Sequence, residues 1–267
     1  MQRATVPVPV DADLGNPARM WAYWLGAAEY LPVDAQAADH TATALPRVPY
    51  FIRSHRAFLR RVVRHLVGLG VRQFLDLGSG IPTAGHVHHT AHAIDPGCRV
   101  IYVDSDPVAV EHGHVLLDQQ ERVAMLRADF RRVEDVLGAA QCQALLDPGQ
   151  PTAVLLIDSL PYVADADHPQ QMLDAYRRAL GGGSYVALSH GCLDDELAAG
   201  FARFEGLFGI PIPPLALRDA EEIAGLLVGF AVLDPGIVTV PQWRPEAVDR
   251  HTHPERFPGL AALARAR

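Results

Sequence analysis

Three cysteines are too few and too scattered to staple a fold. Cys98, Cys142 and Cys192 form no CxxC pair, so neither a disulfide framework nor a zinc knuckle is indicated. A reducing cytoplasm is the compartment such usage fits. No apolar run approaches the roughly 20 residues that span a bilayer. The opening MQRATVPVPVDADL lacks the apolar stretch and cleavage-site pattern of a secretory signal. A soluble chain with no membrane partner is expected. Positive charge is also in deficit. Lys and Arg number 23 against 31 Asp and Glu, a formal net charge of −8, which argues against nucleic acid as a partner. G-x-S-x-G elbows, Walker loops and H-E-x-x-H helices do not occur. What is present is an ordinary globular mixture, 49% apolar and 20% charged, with ample material for a core. A length of 267 residues suits one large α/β domain or a domain with an added cap.

Pro7, Pro9, Gly15 and several acids mark residues 1–16 as a loose arm. From Pro17 to about Gly70 the pattern is helical. Pro17 suits a first helical turn. Residues 34–45 read as a second helix, stopped by Pro46. Phe51, Phe58, Leu59, Val62, Val63 and Leu66 then recur near the helical period until Gly68 and Gly70. Within that helix Arg53, Arg56, Arg60, Arg61 and Arg64 are expected on one solvated side, with an anion site as the lesser alternative. From residue 71 short apolar runs alternate with helical stretches. RQFLDL, CRVIYVD, RVAMLRAD, TAVLLIDSL and SYVALSH are the strands, and TAVLLIDSL, continuously apolar, is expected at the centre of the sheet. GFAVLDPGIVTVPQW reads as two further strands around Asp234-Pro235-Gly236. Residues 250–267 carry no clear pattern. Such alternation implies a parallel sheet covered on both faces, with right-handed crossovers. Ligands in such sheets bind past the carboxyl ends of the strands, where the strand order switches. The organisation is therefore an arm and helical cap over 1–70 and a sheet domain over 71–267, forming one unit.

The first strand runs into FLDLGSGIPTAG, residues 74–85. Gly78 and Gly80 permit torsions and close approaches that a Cβ forbids, which alone marks only a tight turn. The next strand ends add chemistry. Asp104 closes the second strand, where an acid accepts both hydroxyls of a ribose. Asp106, just before Pro107, is the better helix cap and leaves Asp104 to a ligand. Asp129 closes the third strand beside Phe130, an acid and a ring suited to bond and pack an adenine. Together these outline a nucleoside pocket. A pyrophosphate needs free N–H groups at a helix start. Pro82 removes one donor, Thr83 stands where a third glycine would be, and Asp76 repels a diphosphate. S-adenosylmethionine (SAM) carries a ribose, an adenine, a sulfonium and an amino-acid tail without phosphate, and acids near the loop suit its cations. The residues favour SAM over NAD.

Several blocks resemble the actinobacterial SAM-dependent methyltransferase family catalogued as DUF574. They are ARMWAYWLGAAEY at 18–30, SHRAFLRRVVRHL at 54–66, QFLDLGSGIPTAGHVH at 73–88, RVIYVDSDPVAV at 99–110, LRADFR at 126–131, VLLIDSLPYVADADHP at 154–169, LGGGSYVALSH at 180–190 and GIVTVPQWRP at 236–245. The resemblance implies a class I, Rossmann-like α/β fold: a seven-stranded, mostly parallel sheet with a terminal antiparallel strand, and an N-terminal helical cap. It implies that Gly78, Ser79 and Gly80 flank the methionine part of SAM, and that Asp104 holds the ribose with Ser105 beside it. Asp129 and Phe130 would face the adenine. Asp158, Ser159 and Leu160 would line the sulfonium and substrate side, and Tyr23 would close over the cofactor. The chain departs from the family at Ala22, at Gly26-Ala27 and at His55, all in the cap.

Methyl transfer is an in-line displacement that aligns acceptor, methyl and sulfur, with or without a base. His190, ending the fifth strand on the cofactor rim, is a candidate base because imidazole titrates near neutrality. Asp158 is the second candidate, with contact to the SAM ammonium or a loop-setting role as its alternatives. HVHHTAH places His88 and His92 one helical turn apart, but no carboxylate completes a ligand set, and a polar helix face is expected instead of a metal. Trp21, Tyr23, Trp24 and Tyr30 either line an acceptor pocket or pack. The leading expectation is a SAM-dependent methyltransferase with a small-molecule acceptor. A SAM-binding protein of the same fold with cyclase-like chemistry or a sensing role stays open, as does, behind it, an NAD-linked oxidoreductase. The oligomeric state, a homodimer included, is not legible.

Overall fold

The computed structural model describes residues 15–83, 85–192, 194–208, 214–246 and 253–267. The arm read at 1–16 lies outside the described residues up to residue 14.

Three helices come first: α1 (Pro17–Trp24), α2 (Pro32–Ala44) and α3 (Val48–Gly68). Asn16 caps α1 by accepting from the Arg19 N–H, with Pro17 at the first helical position. A buried ion pair, Arg19 Nε to Asp34 Oδ2 at 2.6 Å, ties α1 to α2. Asp34 also accepts from the N–H groups of Asn16 and Leu31, so the buried carboxylate is well compensated. α3 presents Phe58, Leu59, Val62, Val63 and Leu66 to the same core as the sheet and Trp243. Its arginines divide. Arg53, Arg60 and Arg64 are exposed. Arg61, by contrast, is buried and donates to the carbonyls of Trp243 and Val240 at 2.9 and 2.8 Å. Arg56 turns toward the strand ends. The single solvated basic side expected from spacing is thus split, because α3 packs on more than one face.

The sheet strands are β1 (Gln73–Leu77), β2 (Arg99–Asp104), β3 (Val123–Arg127), β4 (Thr152–Ile157), β5 (Tyr185–Gly191), β6 (Phe230–Val232), β7 (Val238–Thr239) and β8 (Gly259–Ala266). The order is β3-β2-β1-β4-β5-β8-β6, with β7 paired to β8 off this path. β1 to β5 run parallel, and β8 lies antiparallel between β5 and β6. Alternate residues feed the two faces. Phe74, Val100, Tyr102 and Leu155 meet α3 and α4 (Val87–His92), while Leu75, Ile101, Val154 and Leu156 meet α8 (Pro169–Leu180) and α10 (Ala220–Leu226). α5 (Pro107–Leu117), α6 (Val133–Gly138), α7 (Ala140–Leu145) and α9 (Asp195–Phe208) complete the described helices.

The strand order reverses between β1 and β4, which places the crevice over their carboxyl ends. β6 and β7 flank Asp234-Pro235-Gly236, and each pairs with β8. β8 arises from the C-terminal run that shows no pattern in sequence. GLAALARA is alanine-rich and buried on both faces, so neither alternation nor β propensity marks it; its register against β5 and β6 makes it a strand. No helix among the described residues is long and apolar enough to cross a membrane.

Candidate active site

β1 ends in the glycine loop, whose geometry is fixed by backbone bonds to β2. The N–H groups of Gly78 and Ser79 donate to the Val103 carbonyl at 2.8 and 3.1 Å. Gly78 and Gly80 have φ of 70° and 62°, a left-handed backbone that favours glycine. A Cβ on Gly78 would fall 2.6 Å from the Ser159 Cβ and 3.3 Å from the Phe130 ring. The Gly80 N–H donates to Asp104 Oδ2 at 2.7 Å, and the Asp106 N–H donates to Asp104 Oδ1 at 2.9 Å. Burial pushes the Asp104 carboxyl up, against the pull of these N–H donors. Asp106 caps α5, accepting from the Val108 N–H at 2.8 Å, and its other oxygen accepts from Asn16 Nδ2 at 2.8 Å. That last bond brings the start of α1 over the strand ends.

A cavity of about 340 Å³ opens above them. Of the residues singled out in sequence, Gly78, Ser79, Gly80, Asp104, Ser105, Phe130, Asp158 and Ser159 line it. Four do not. Asp129 is bound by Arg131 at 2.7 Å, which holds its carboxyl below the usual range, and Arg131 reaches on to Asp167. Leu160 is buried in the core against α8. Tyr23 donates its hydroxyl to Asp39 at 3.0 Å, while Trp21, Ala22 and Leu25 face the cavity. His190 is fully buried; its Nδ1–H donates to the Gly191 carbonyl at 2.7 Å and its Nε2 accepts from Arg218 at 3.2 Å. Burial pushes its pKa down to about 4, and with both nitrogens engaged it reaches neither cavity described here.

The same wall carries groups that sequence reasoning did not single out as ligands. Asp76, mid-strand in β1, is buried; burial raises its carboxyl to about 7, opposed by the nearby Arg56. Its Oδ2 has no hydrogen bond. His86 Nδ1 stands 3.5 Å from that oxygen but accepts the Val87 N–H, so the ring proton sits on Nε2, facing the Ser79 carbonyl. Arg56 lines the cavity and donates to Thr83 Oγ1 at 3.3 Å, with its pKa lowered by burial to about 10. The acid in QFLDL was a readable signal, since a charge inside a buried strand needs a reason. Nothing in the sequence set Arg56 apart, because four other arginines share its helix.

Two further histidines of HVHHTAH serve the structure. His88 Nδ1 pairs with the Tyr102 hydroxyl at 2.7 Å, and His92 Nε2 with the Cys98 carbonyl at 2.9 Å. His86 and His88 are buried rather than on a polar face. Among the described residues no group of three His, Cys, Asp or Glu is arranged to hold a metal ion.

A second cavity, about 580 Å³, adjoins the first. Trp21, Trp24, Leu45, Phe51, Leu217 and Pro258 are among its mostly apolar walls. Pro17, Trp21, Asp158 and Tyr162 belong to both cavities. Asp158 has φ of 57°, an uncommon left-handed backbone for a residue with a side chain. Its Oδ1 accepts from the Gly191 N–H at 2.9 Å, and burial pushes its carboxyl up to about 8. The more polar of the two, a nucleoside-sized space, thus opens onto the more apolar one past Asp158, an arrangement for bringing two substrates together.

Comparison with known proteins agrees with this reading of the fold. The chain is similar in structure to a DUF574 family protein from Streptomyces avermitilis MA-4680, with TM-score 0.86 and 30% identity, over 97% of this chain and 100% of that one. A candidate methyltransferase from Thermobifida fusca YX gives TM-score 0.83 and 30% identity, over 96% and 97% of the two chains. Magnesium protoporphyrin IX methyltransferase from Synechocystis PCC 6803, solved with bound SAM, shares the fold at TM-score 0.51 and 14% identity, over 93% and 90%. Among proteins of curated function, none matches in sequence. The family model described as S-adenosyl methyltransferase matches residues 3–267. With that match spanning the loop, the strand ends and both cavities, the chain belongs to the S-adenosyl methyltransferase family and is a SAM-dependent methyltransferase.

Proposed function

We propose that the chain transfers the methyl group of SAM to a small molecule seated in the apolar cavity, with SAM in the polar cavity beside it. The observation that carries this is the common wall of Pro17, Trp21, Asp158 and Tyr162. A methyl group held at that wall is within reach of an acceptor in the second space.

The residues of the first cavity fit SAM. Gly78 leaves room that a Cβ would fill, and Asp76 Oδ2 and Ser159 Oγ are buried without hydrogen-bond partners. Arg56 and Asp76 both line this cavity, a half-buried cation and a buried acid, suited to the carboxylate and ammonium of an amino-acid tail. Asp104, already oriented by two backbone N–H groups, is placed for a ribose, and Phe130 for an adenine face. No binding role is proposed for Tyr23, Asp129, Leu160 or His190. When bound, SAM supplies a methyl carbon made electrophilic by its sulfonium. The chain does the rest: the loop and Asp104 fix the nucleoside, Arg56 and Asp76 fix the tail, and Trp21 stands at the seam between the two cavities. A small acceptor fits better than nucleic acid, since Asp158, Asp194 and Glu196 outnumber Arg47 on the second cavity's walls. A reducing cytoplasm remains the compartment that suits the scattered free thiols.

Calorimetric titration with SAM, S-adenosylhomocysteine and NAD, with Asp104→Ala as control, tests the cofactor site. The expected result is micromolar binding of the first two, lost in the variant, and no NAD binding. Clean folding with no response to either SAM compound would end the proposal. Release of S-adenosylhomocysteine that depends on added acceptor separates methyl transfer from a sensing role.

A further inference from the structure

We infer that the acceptor is an uncharged aromatic molecule bearing a ring hydroxyl, and that this hydroxyl sits on Asp158 at the seam of the two cavities. The inference rests on the methyltransferase reading above and adds the substrate class.

The wall chemistry selects the body of the acceptor. Trp21, Trp24, Phe51 and Tyr162 supply four rings, and aliphatic side chains and prolines most of the remainder. A sugar or a peptide would bring many polar groups into a space with few partners, each unpaired group costing affinity. Flat aromatic systems lose nothing there and gain ring contacts.

Charge selects its ionisation state. Arg47, the cation among the described lining residues, is paired with Glu196 at 2.7 Å. Asp194 accepts the Leu197 N–H at 2.7 Å at the start of α9. With the cation engaged, an acceptor carboxylate or phosphate would enter uncompensated. An alkylammonium would find Asp194 and Glu196 already engaged.

The seam selects the reacting group. Asp158 Oδ1 is occupied by the Gly191 N–H, and its Oδ2 makes no hydrogen bond among the described residues. That oxygen can orient an O–H and receive its proton. A ring hydroxyl has a pKa of about 10, as in tyrosine, whereas an alkyl hydroxyl lies far higher, nearer that of water. A carboxyl whose proton affinity is raised by burial is matched to the former. In the step, the hydroxyl oxygen's lone pair forms the bond to the methyl carbon, and the carbon–sulfur bond breaks with its electron pair going to sulfur. The hydroxyl proton passes to Oδ2 of the ionised Asp158 carboxylate, the form present above its raised pKa of about 8, and then to water. The products are an aryl methyl ether and S-adenosylhomocysteine.

The test uses the full chain and four probes of one size: naphthol, naphthoate, naphthylmethylamine and decalol. Calorimetry first establishes that S-adenosylhomocysteine binds; absence of that binding strikes the methyltransferase reading itself. With it bound, quenching of Trp21 and Trp24 fluorescence reports acceptor affinity over the buried background of Trp243. We expect naphthol to bind about tenfold or more tighter than the other three, one decade being the discrimination a mismatched charge or lost ring contact gives. With SAM, naphthol alone should yield its methyl ether. Asp158→Asn keeps a side chain that tolerates left-handed backbone. It should hold naphthol within about threefold while turnover falls by about 100-fold or more, the range for losing a general base. Trp24→Ala should weaken naphthol and leave SAM affinity unchanged. Equal or better binding of naphthoate, naphthylmethylamine or decalol, or unchanged turnover in Asp158→Asn, would overturn the inference.

Discussion

The two cavities share a wall and are assembled in opposite ways. The polar one is built from strand ends. β1 and β2 pair in register, Leu77 opposite Val103, so the glycine loop necessarily meets Asp104 one step further on. The apolar one is built from pieces scattered over the chain, including α1, the start of α3, the segment around Leu215 and Leu217, and Pro258. Backbone hydrogen bonding dictates the first, and side-chain packing between distant segments dictates the second. A cofactor site made of sheet geometry is legible in a sequence, while an acceptor site made of packing is not.

Variants on the two sides should therefore separate the functions. The largest effect expected is on the shared wall itself, where Asp158→Asn lowers kcat by about 100-fold or more with little change in the affinity of either ligand. Single-turnover kinetics with SAM checks this. Next is Gly78→Ala. Its Cβ would press on Ser159, and its φ of 70° disfavours a side chain. We expect loss of SAM binding and a stability cost of about 1–3 kcal/mol, read by calorimetry and by thermal melting; naphthol quenching should survive in the folded fraction. Smaller and more specific is Arg56→Ala. SAM affinity should fall about tenfold, the value of a hydrogen bond to a charged group. Affinity for methylthioadenosine, which lacks the amino-acid tail, should be unchanged. Equal losses for both ligands would remove Arg56 from the tail site.

The smallest expected effect is on pH dependence. Asp76 and Asp158 both have carboxyls raised by burial, to about 7 and about 8. A raised acid is neutral below its pKa and ionised above it. SAM affinity should therefore climb as pH rises through about 7, and kcat as pH rises through about 8. The neighbours of Asp158, Tyr162 and Cys192, are pushed up to about 12 and 11 and stay neutral across that range. Both limbs should shift downward in the bound complex, where the cations of SAM favour the ionised acids. A kcat limb that persists in Asp158→Asn would assign it elsewhere.

Particular residues show where legibility stopped. Asp106 was readable as a helix cap because its partner is two residues away, and the Val108 N–H does donate to it. Asp129 looked equivalent to Asp104, yet Arg131, also two residues away, turns its carboxylate outward. The sequence contained that arginine, but not the choice between it and a ligand. His190 was placed on the correct strand, and only packing revealed that Gly191 and Arg218 consume both its nitrogens. Tyr23 and Trp21 are two residues apart on one helix, and only the way α1 sits over the strand ends, fixed by Asn16 and Asp106, decides which of them faces inward.

What the sequence determined by itself is what depends on short-range constraint: alternating strands and helices, the glycine turn, and the acids at consecutive strand ends. These follow from backbone sterics and two-residue periodicity, which act locally. What only the tertiary structure decided is the insertion of β8 between β5 and β6, the burial of Arg61, the placing of Arg56 and Asp76 on one cavity wall, and the apolar cavity that meets the more polar one at Asp158. Each depends on which segments pack together after the chain has crossed the sheet, and on the desolvation that packing imposes, neither of which any local stretch of residues encodes.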